Sequence, residues 1–145
     1  MPVRFLDTNI RLRYLTRDDE KKAASALALL RRIEQREETV ATSQLVIFET
    51  VFTLQKTYRI SRTQIRDALS DIISLRGVEL PNKPIYLRAL DLYAEKNISF
   101  ADVYNAAYMQ AHHLNEIYSF DTDFDKIDGI TRVEPAGGPT SGSER

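Results

Sequence analysis

A mostly parallel β-sheet flanked by helices is the fold class this sequence predicts, and three observations predict it. Short apolar runs alternate with longer segments of helical period along nearly the whole chain. Strands separated by helices imply right-handed βαβ units, which build parallel sheets covered on their faces. The 145 residues suffice for one domain whose core hides about two thirds of the unfolded surface.

The elements follow in order. Residues 3–6 read as a short buried strand, and 9–15 are expected to begin a helix. Asp18, Asp19 and Glu20 place acids where the next helix N-terminus favours them. Over 21–36, Ala23, Leu27, Leu30 and Ile33 recur every three or four positions. A second strand is expected over 39–42. Ser43 then offers an N-cap for a helix from 44 to about 58, with Leu45, Phe48, Val51 and Phe52 on one face. Ser61 caps a helix striped with Ile65, Ala68, Leu69 and Ile72 that ends near Gly77. A third strand spans 78–80. Pro84 suits the first turn of a helix reaching Lys96, and Ser99 opens another through about His113. Strands at 116–120 and 131–133 complete the set. The tail over 135–145, PAGGPTSGSER, has the composition of a disordered segment.

Composition narrows the function. Apolar content of 43% and charged content of 28% are those of a soluble domain, and a net charge of −1 supplies no bulk basic field for nucleic acid. No run approaches the length of a membrane span and no signal-peptide core is visible, so a cytoplasmic location is expected. With no cysteine, disulfides, thiolate metal sites and cysteine nucleophiles are excluded. The two histidines, His112 and His113, are adjacent and point apart on a helix; they are expected at its surface or C-terminal end rather than in a zinc site.

The acids are more informative. Ligands of open parallel sheets bind outside the carboxyl ends of the strands. Asp7 follows the first strand in VRFLDTNI and Asp121 follows the fourth in YSFDTDFD, so both belong to that edge. Asp102 opens a helix in ISFADVYNAA, Glu49 lies near a helix start in LVIFETVF, and Asp123 follows Asp121 after one residue. Each has a plainer explanation by itself. Asp7 would cap the next helix, Ser99 and Asp102 have capping-box spacing, Glu49 would be an exposed helix residue, and Asp121, Asp123 and Asp125 would form a solvated turn. Those explanations must all hold separately, whereas one cleft explains the set. Clustered carboxylates repel unless a cation lies among them, and their oxygens suit Mg²⁺ or Mn²⁺ rather than zinc.

The segments FLDTNI, VIFETVFTL, SFADVYNAA and YSFDTDFDKI, in that order across roughly residues 3–133, resemble those of the PIN-domain ribonucleases, and within them the VapC-type toxins of toxin–antitoxin pairs. The resemblance implies a three-layer α/β/α domain over 1–134 and a metal-dependent endoribonuclease site using Mg²⁺ or Mn²⁺. It implies Asp7, Glu49, Asp102 and Asp121 as catalytic and metal-holding acids, with Asp123 as a further ligand. Ser119 stands where the family usually has a Thr or Ser that steadies the site, and Asn9 is expected to orient rather than ligate. RNA cut to a 5′-phosphate and a 3′-hydroxyl, a cognate antitoxin protein and a homodimer are likewise implied.

An acidic cleft needs cations around it to receive RNA. Arg11 and Arg13 follow the first motif, and Lys56, Arg59, Arg62 and Arg66 surround the junction of two middle helices; some are expected to touch phosphates, though a solvated helix face explains each equally well. Other classes fit less well. A haloacid-dehalogenase-type phosphatase needs an acid two residues after its strand-end Asp, where Asn9 stands, and a phosphoacceptor receiver wants paired acids ahead of an Asp that here lies too near the N-terminus. A non-toxin RNA-processing nuclease and a non-catalytic metal-binding interaction module remain as alternatives.

Overall fold

The computed structural model describes residues 2–10 and 19–136. In chain order it contains β1 (Arg4–Phe5), α1 (Glu20–Glu34), β2 (Val40–Ala41), α2 (Gln44–Lys56), α3 (Arg62–Ile73), β3 (Val78–Glu79), α4 (Lys83–Glu95), α5 (Phe100–Ala111), β4 (Glu116–Tyr118), a 3₁₀ segment (Thr122–Lys126) and β5 (Thr131–Val133). All strand pairings are parallel, as expected of a three-layer α/β/α domain. The hydrogen-bonded order is β1-β2-β3 in one ladder and β4-β5 in another. The expected single central sheet is thus two short ladders, with strands of two or three residues. Of the helix expected over 9–15, residues 11–15 lie outside the described residues, as do Arg11, Arg13 and the tail from 137 onward.

The helix starts follow their caps. The Ser43 and Ser99 hydroxyls accept from the backbone N–H groups of Val46 and Asp102, at 3.3 and 3.2 Å. Ser61 and Gln64 form a reciprocal capping box, and Pro84 sits in the first turn of α4. The helix ends are less conventional. Arg36, Arg59 and His113, just beyond α1, α2 and α5, take left-handed φ values of 60°, 53° and 59°, the place where glycine is usual. Behind His113, the Leu114 N–H reaches back to the Met109 carbonyl at 2.8 Å, closing α5. His112 stacks beside Tyr108, with ring centroids 4.2 Å apart. The histidine pair therefore ends a helix, as expected.

Packing among α2, α3, α4 and α5 supplies most of the core, with Ile47, Leu54, Ile65, Leu69, Leu90, Tyr93 and Val103 wholly buried. A ring cluster joins three of these helices: Phe48 of α2 meets Phe100 and Tyr104 of α5 edge-on at 4.9 and 5.1 Å, and Tyr86 of α4 meets Tyr104 at 5.2 Å. Gly77, before β3, packs so closely under α1 that a Cβ there would collide with the carbonyl oxygens of Ile33 and Glu38.

Arg62 departs from the expectation that it belongs to a phosphate-binding group. Its Nη1 donates to the carbonyls of Tyr93, Lys96 and Ile98 at 3.0, 3.1 and 2.7 Å, and its guanidinium lies 4.2 Å from the Tyr93 ring centroid. A cation at the end of α4 satisfies carbonyls the helix leaves open and complements its dipole. Arg66 is likewise engaged, with Asp67 at 3.0 Å. Arg62→Met should lower stability by about 2 kcal/mol, the worth of charge-assisted hydrogen bonds lost from a partly buried site. Urea unfolding should show this as a lower midpoint at unchanged slope. Arg62→Lys should recover only a fraction, because an ammonium cannot hold the planar fork; equal stability of the three proteins would refute the role.

Candidate active site

Three of the expected acids meet. One carboxylate oxygen each from Asp102, Asp121 and Asp123 lies within 4.8 Å of the other two. Local geometry fixes each one. Asp102 sits in the first turn of α5, behind the Ser99 cap. The Ser119 hydroxyl accepts from the Asp121 N–H at 3.0 Å, and Asp121 Oδ1 in turn accepts from the Asp123 N–H at 2.9 Å. The chain after β4 is thereby bent so that both aspartates face α5. Lys126 donates to Asp123 Oδ1 at 2.8 Å, putting a cation at the edge of the cluster.

The crowding shows in the protonation of Asp102. Burial raises its carboxyl above the ordinary value, and Asp121 and Asp123 push in the same direction against an opposing hydrogen bond from Ser99. The group suits a hard divalent cation, whose oxygen ligands at about 2.0–2.1 Å stand closer together than the 4.8 Å limit found here. These are acids the sequence placed at this edge, and no histidine or sulfur competes with them.

Asp7 and Glu49 stand outside that trio. Asp7 follows β1, in the first ladder, whereas Asp121 follows β4 in the second, and the two ladders share no hydrogen bonds among the described residues. Asp7 Oδ1 accepts from the Asn9 N–H at 3.0 Å, a local Asx turn; the helix it was expected to cap runs into residues outside those described. Glu49 is exposed on α2. The two are tied together by a bond the sequence reading missed: Thr8 Oγ1 and Thr50 Oγ1 meet at 2.6 Å in a buried site. Thr50 also donates to the Val46 carbonyl at 2.8 Å, so its oxygen is left to accept from Thr8. Thr42 donates to the Leu6 carbonyl at 2.9 Å and braces the same strand end. A threonine directly after the acid in both DTN and FET was the available signal. Asn9 Oδ1, beside this joint, is a buried acceptor with no partner among the described residues.

Two hollows flank these acids. One, of about 970 Å³, is lined by Phe5, Asp7, Asn9, Lys21, Lys22 and Tyr58, among others. Lys21 and Lys22 are cations near Asp7 that the sequence reading did not single out. The other, of about 520 Å³, lies between α2 and the start of α5 and includes Glu49, Phe52, Lys56 and Phe100. Lys56 and Arg59 are exposed, and neither pairs with an acid among the described residues.

Two outcomes follow from this geometry. A raised carboxyl favours the protonated folded form, so the stability linked to that proton is complete at low pH and is lost as pH climbs through the raised value. A divalent ion competes for the same oxygens. Mg²⁺ or Mn²⁺ should therefore raise the melting temperature more at roughly pH 7.5 than at pH 5, and an equal rise at both, or one retained by Asp102→Asn, would contradict the site. Thr50→Val, which strands the buried Thr8 hydroxyl, should cost about 1–3 kcal/mol. Adding Thr8→Val should cost less than the sum of the single changes, because the partners act as a pair; strict additivity in a double-mutant cycle would show that they do not.

Two comparisons with known proteins bear on the chain as a whole. A VapC ribonuclease of Aquifex aeolicus (strain VF5) is 27% identical over 135 residues, which cover 92% of this chain and 97% of that protein. The sequence pattern of the PIN domain matches residues 4–130, from the first residue of β1 to the buried Ile130 just before β5. All the acids discussed here fall inside that span, and the chain belongs to the PIN-domain family.

Proposed function

We propose that the protein is a Mg²⁺- or Mn²⁺-dependent endoribonuclease, the toxin of a type II toxin–antitoxin pair. The observation that carries the reading is the convergence of Asp102, Asp121 and Asp123 within 4.8 Å in a PIN-domain chain. The similarity to a VapC ribonuclease supports RNA as the substrate and the toxin role.

Asp102, Asp121 and Asp123 would hold the ion, with Asp7 and Glu49 completing the site from the facing motifs. Bound there, the ion supplies the charge that makes a water acidic enough to attack a phosphodiester in line and that steadies the departing oxygen. Ser119 and Ser99 keep two of the acids in place through the hydrogen bonds given above. The Thr8–Thr50 joint links the segments carrying Asp7 and Glu49. Asn9 orients the first motif, and its free Oδ1 is available to a polar group brought by substrate. Lys56, Lys21 and Lys22, which line the two hollows, and the exposed Arg59 would meet phosphates of the substrate. No protein nucleophile is required, and the products would carry a 5′-phosphate and a 3′-hydroxyl. The exposed apolar residues Phe5, Leu45, Tyr118 and Phe120 leave surface for an antitoxin or a second subunit.

End-labelled RNA incubated with the full chain should be cut in Mg²⁺ or Mn²⁺ and spared in EDTA. Asp7→Asn, checked for folding by circular dichroism, should reduce cutting at least about 100-fold, as expected for loss of a group that acts on the transition state. Failure to cut a broad RNA panel, combined with no Mn²⁺ binding by calorimetry, would favour the non-catalytic interaction module instead.

A further inference from the structure

The 520 Å³ hollow between α2 and α5 has a composition that the acids do not explain. Its floor is apolar: Val51 and Phe100 are buried, and Phe48 is held against Phe100 and Tyr104 by edge-on ring contacts. Its rim carries Phe52, whose ring is 64% exposed although it lies on a helix with ample core to join. Lys56, one turn further along α2, adds a positive charge with no acid partner among the described residues. Arg62, on the same wall, is committed to three carbonyls and makes it rigid. The hollow lies beside the candidate acids: Glu49 belongs to its wall, and Ser99, Phe100 and Ala101 of its lining immediately precede Asp102. Its size falls within the about 300–1,000 Å³ typical of clefts that enclose small ligands.

We propose that this hollow is a base-binding subsite, in which one unstacked nucleobase of a single-stranded RNA lies against the Phe52 ring while Lys56 meets the adjoining phosphate. The inference rests on the nuclease reading for its choice of ligand. An apolar, aromatic-walled recess next to an acid site suits a nucleobase, whose flat faces gain from stacking and whose backbone brings the negative charge Lys56 requires. A peptide segment would bring such a charge only through an acidic side chain of its own, whereas every nucleotide pairs a flat base with a phosphate, and a duplex would hide its bases.

The test is equilibrium binding of fluorescein-labelled single-stranded RNA 8-mers, oligo-A and oligo-U, each with one internal 2-aminopurine. The full chain carries Asp7→Asn throughout, so that binding is read without cutting. Phe52→Ala should weaken binding about five-fold or more, the lower end of what one stacked base is worth, and should abolish the 2-aminopurine quenching. Phe52→Tyr, which keeps the ring, should retain both. Lys56→Ala should weaken binding uniformly across sequences and lower the salt slope by about one. Equal binding by Phe52→Ala and its parent would overturn the subsite, as would failure of Phe52→Tyr to retain it. Loss of binding that tracks a change of oligomeric mass in sedimentation would assign Phe52 to a contact between copies instead. Because the assay needs no catalysis, failure of the unsubstituted chain to cut RNA would defeat the nuclease reading while leaving the subsite decided by its own measurement.

Discussion

Three carboxylates within 4.8 Å of one another set the terms for the structure around them. Like charges at that distance drive their carriers apart or favour a proton on one of them, and Asp102, raised first by burial and then by Asp121 and Asp123, leans toward the second. The backbone must oppose the first. It does so with short local bonds, Ser119 to the Asp121 N–H, Asp121 to the Asp123 N–H and Ser99 to the Asp102 N–H, each using a hydroxyl or carboxylate to pin the peptide beside an acid. The first turn of α5 adds the positive end of its dipole, and Lys126 adds a full charge at the margin. A divalent cation would offset the same repulsion, and that is the basis of the metal reading proposed for this cluster.

The strands contribute direction more than strength. Two- and three-residue pairings cannot by themselves resist displacement of the residues that follow them. Helix packing and buried hydroxyls take over that task. Thr42 holds the Leu6 carbonyl and Thr8 meets Thr50, so the end of β1 is tied by buried hydroxyls to the residue after β2 and to α2 as well as by its own short ladder. The segments bearing Asp7 and Glu49 are therefore mechanically one piece, while Asp121 and Asp123 ride on the other ladder and Asp102 on α5. The acids come from two bodies that the sheet itself does not join by hydrogen bonds among the described residues.

This division explains what was legible in the sequence. The signals of Ser43, Ser61, Ser99 and Pro84 act within one helical turn, and all four mark helix starts as read. The apolar period located the buried faces of α1 and α3, but on α2 it named Leu45 and Phe52, which are exposed, where Ile47, Thr50, Val51 and Leu54 are buried. The acids at the strand ends and their order were legible too, and three of them meet. Long-range bonds were not legible. Thr8 and Thr50 are separated by 42 positions, and Arg62 reaches carbonyls 31 to 36 positions away. In the sequence, Arg62 differs in no way from its neighbour Arg66, and only the end of α4 brought against it changes its role. Helix ends at Arg36, Arg59 and His113 carry none of the glycine that usually announces them.

The electrostatics also favour a particular manner of holding RNA. Several cations that the sequence offers are already spent: Arg62 on carbonyls, Arg66 on Asp67, Arg76 on Glu34, and Arg132 on both Asp125 and Glu134. With a net charge of −1 and acids lining the edge, few positive groups remain near the site among the described residues, chiefly Lys21, Lys22 and Lys56. The described part of the chain thus offers few groups to neutralise phosphates, the usual source of affinity for nucleic acids. Apolar contact with unstacked bases is the remaining source of comparable size, and it requires exposed rings in a firm recess. Phe52 at the rim of a hollow floored by Phe48 and Phe100 provides that combination. Shortage of free cations and exposure of an aromatic ring beside Glu49 are then two consequences of the same constraint, since a site crowded with acids must draw its substrate in by means other than charge.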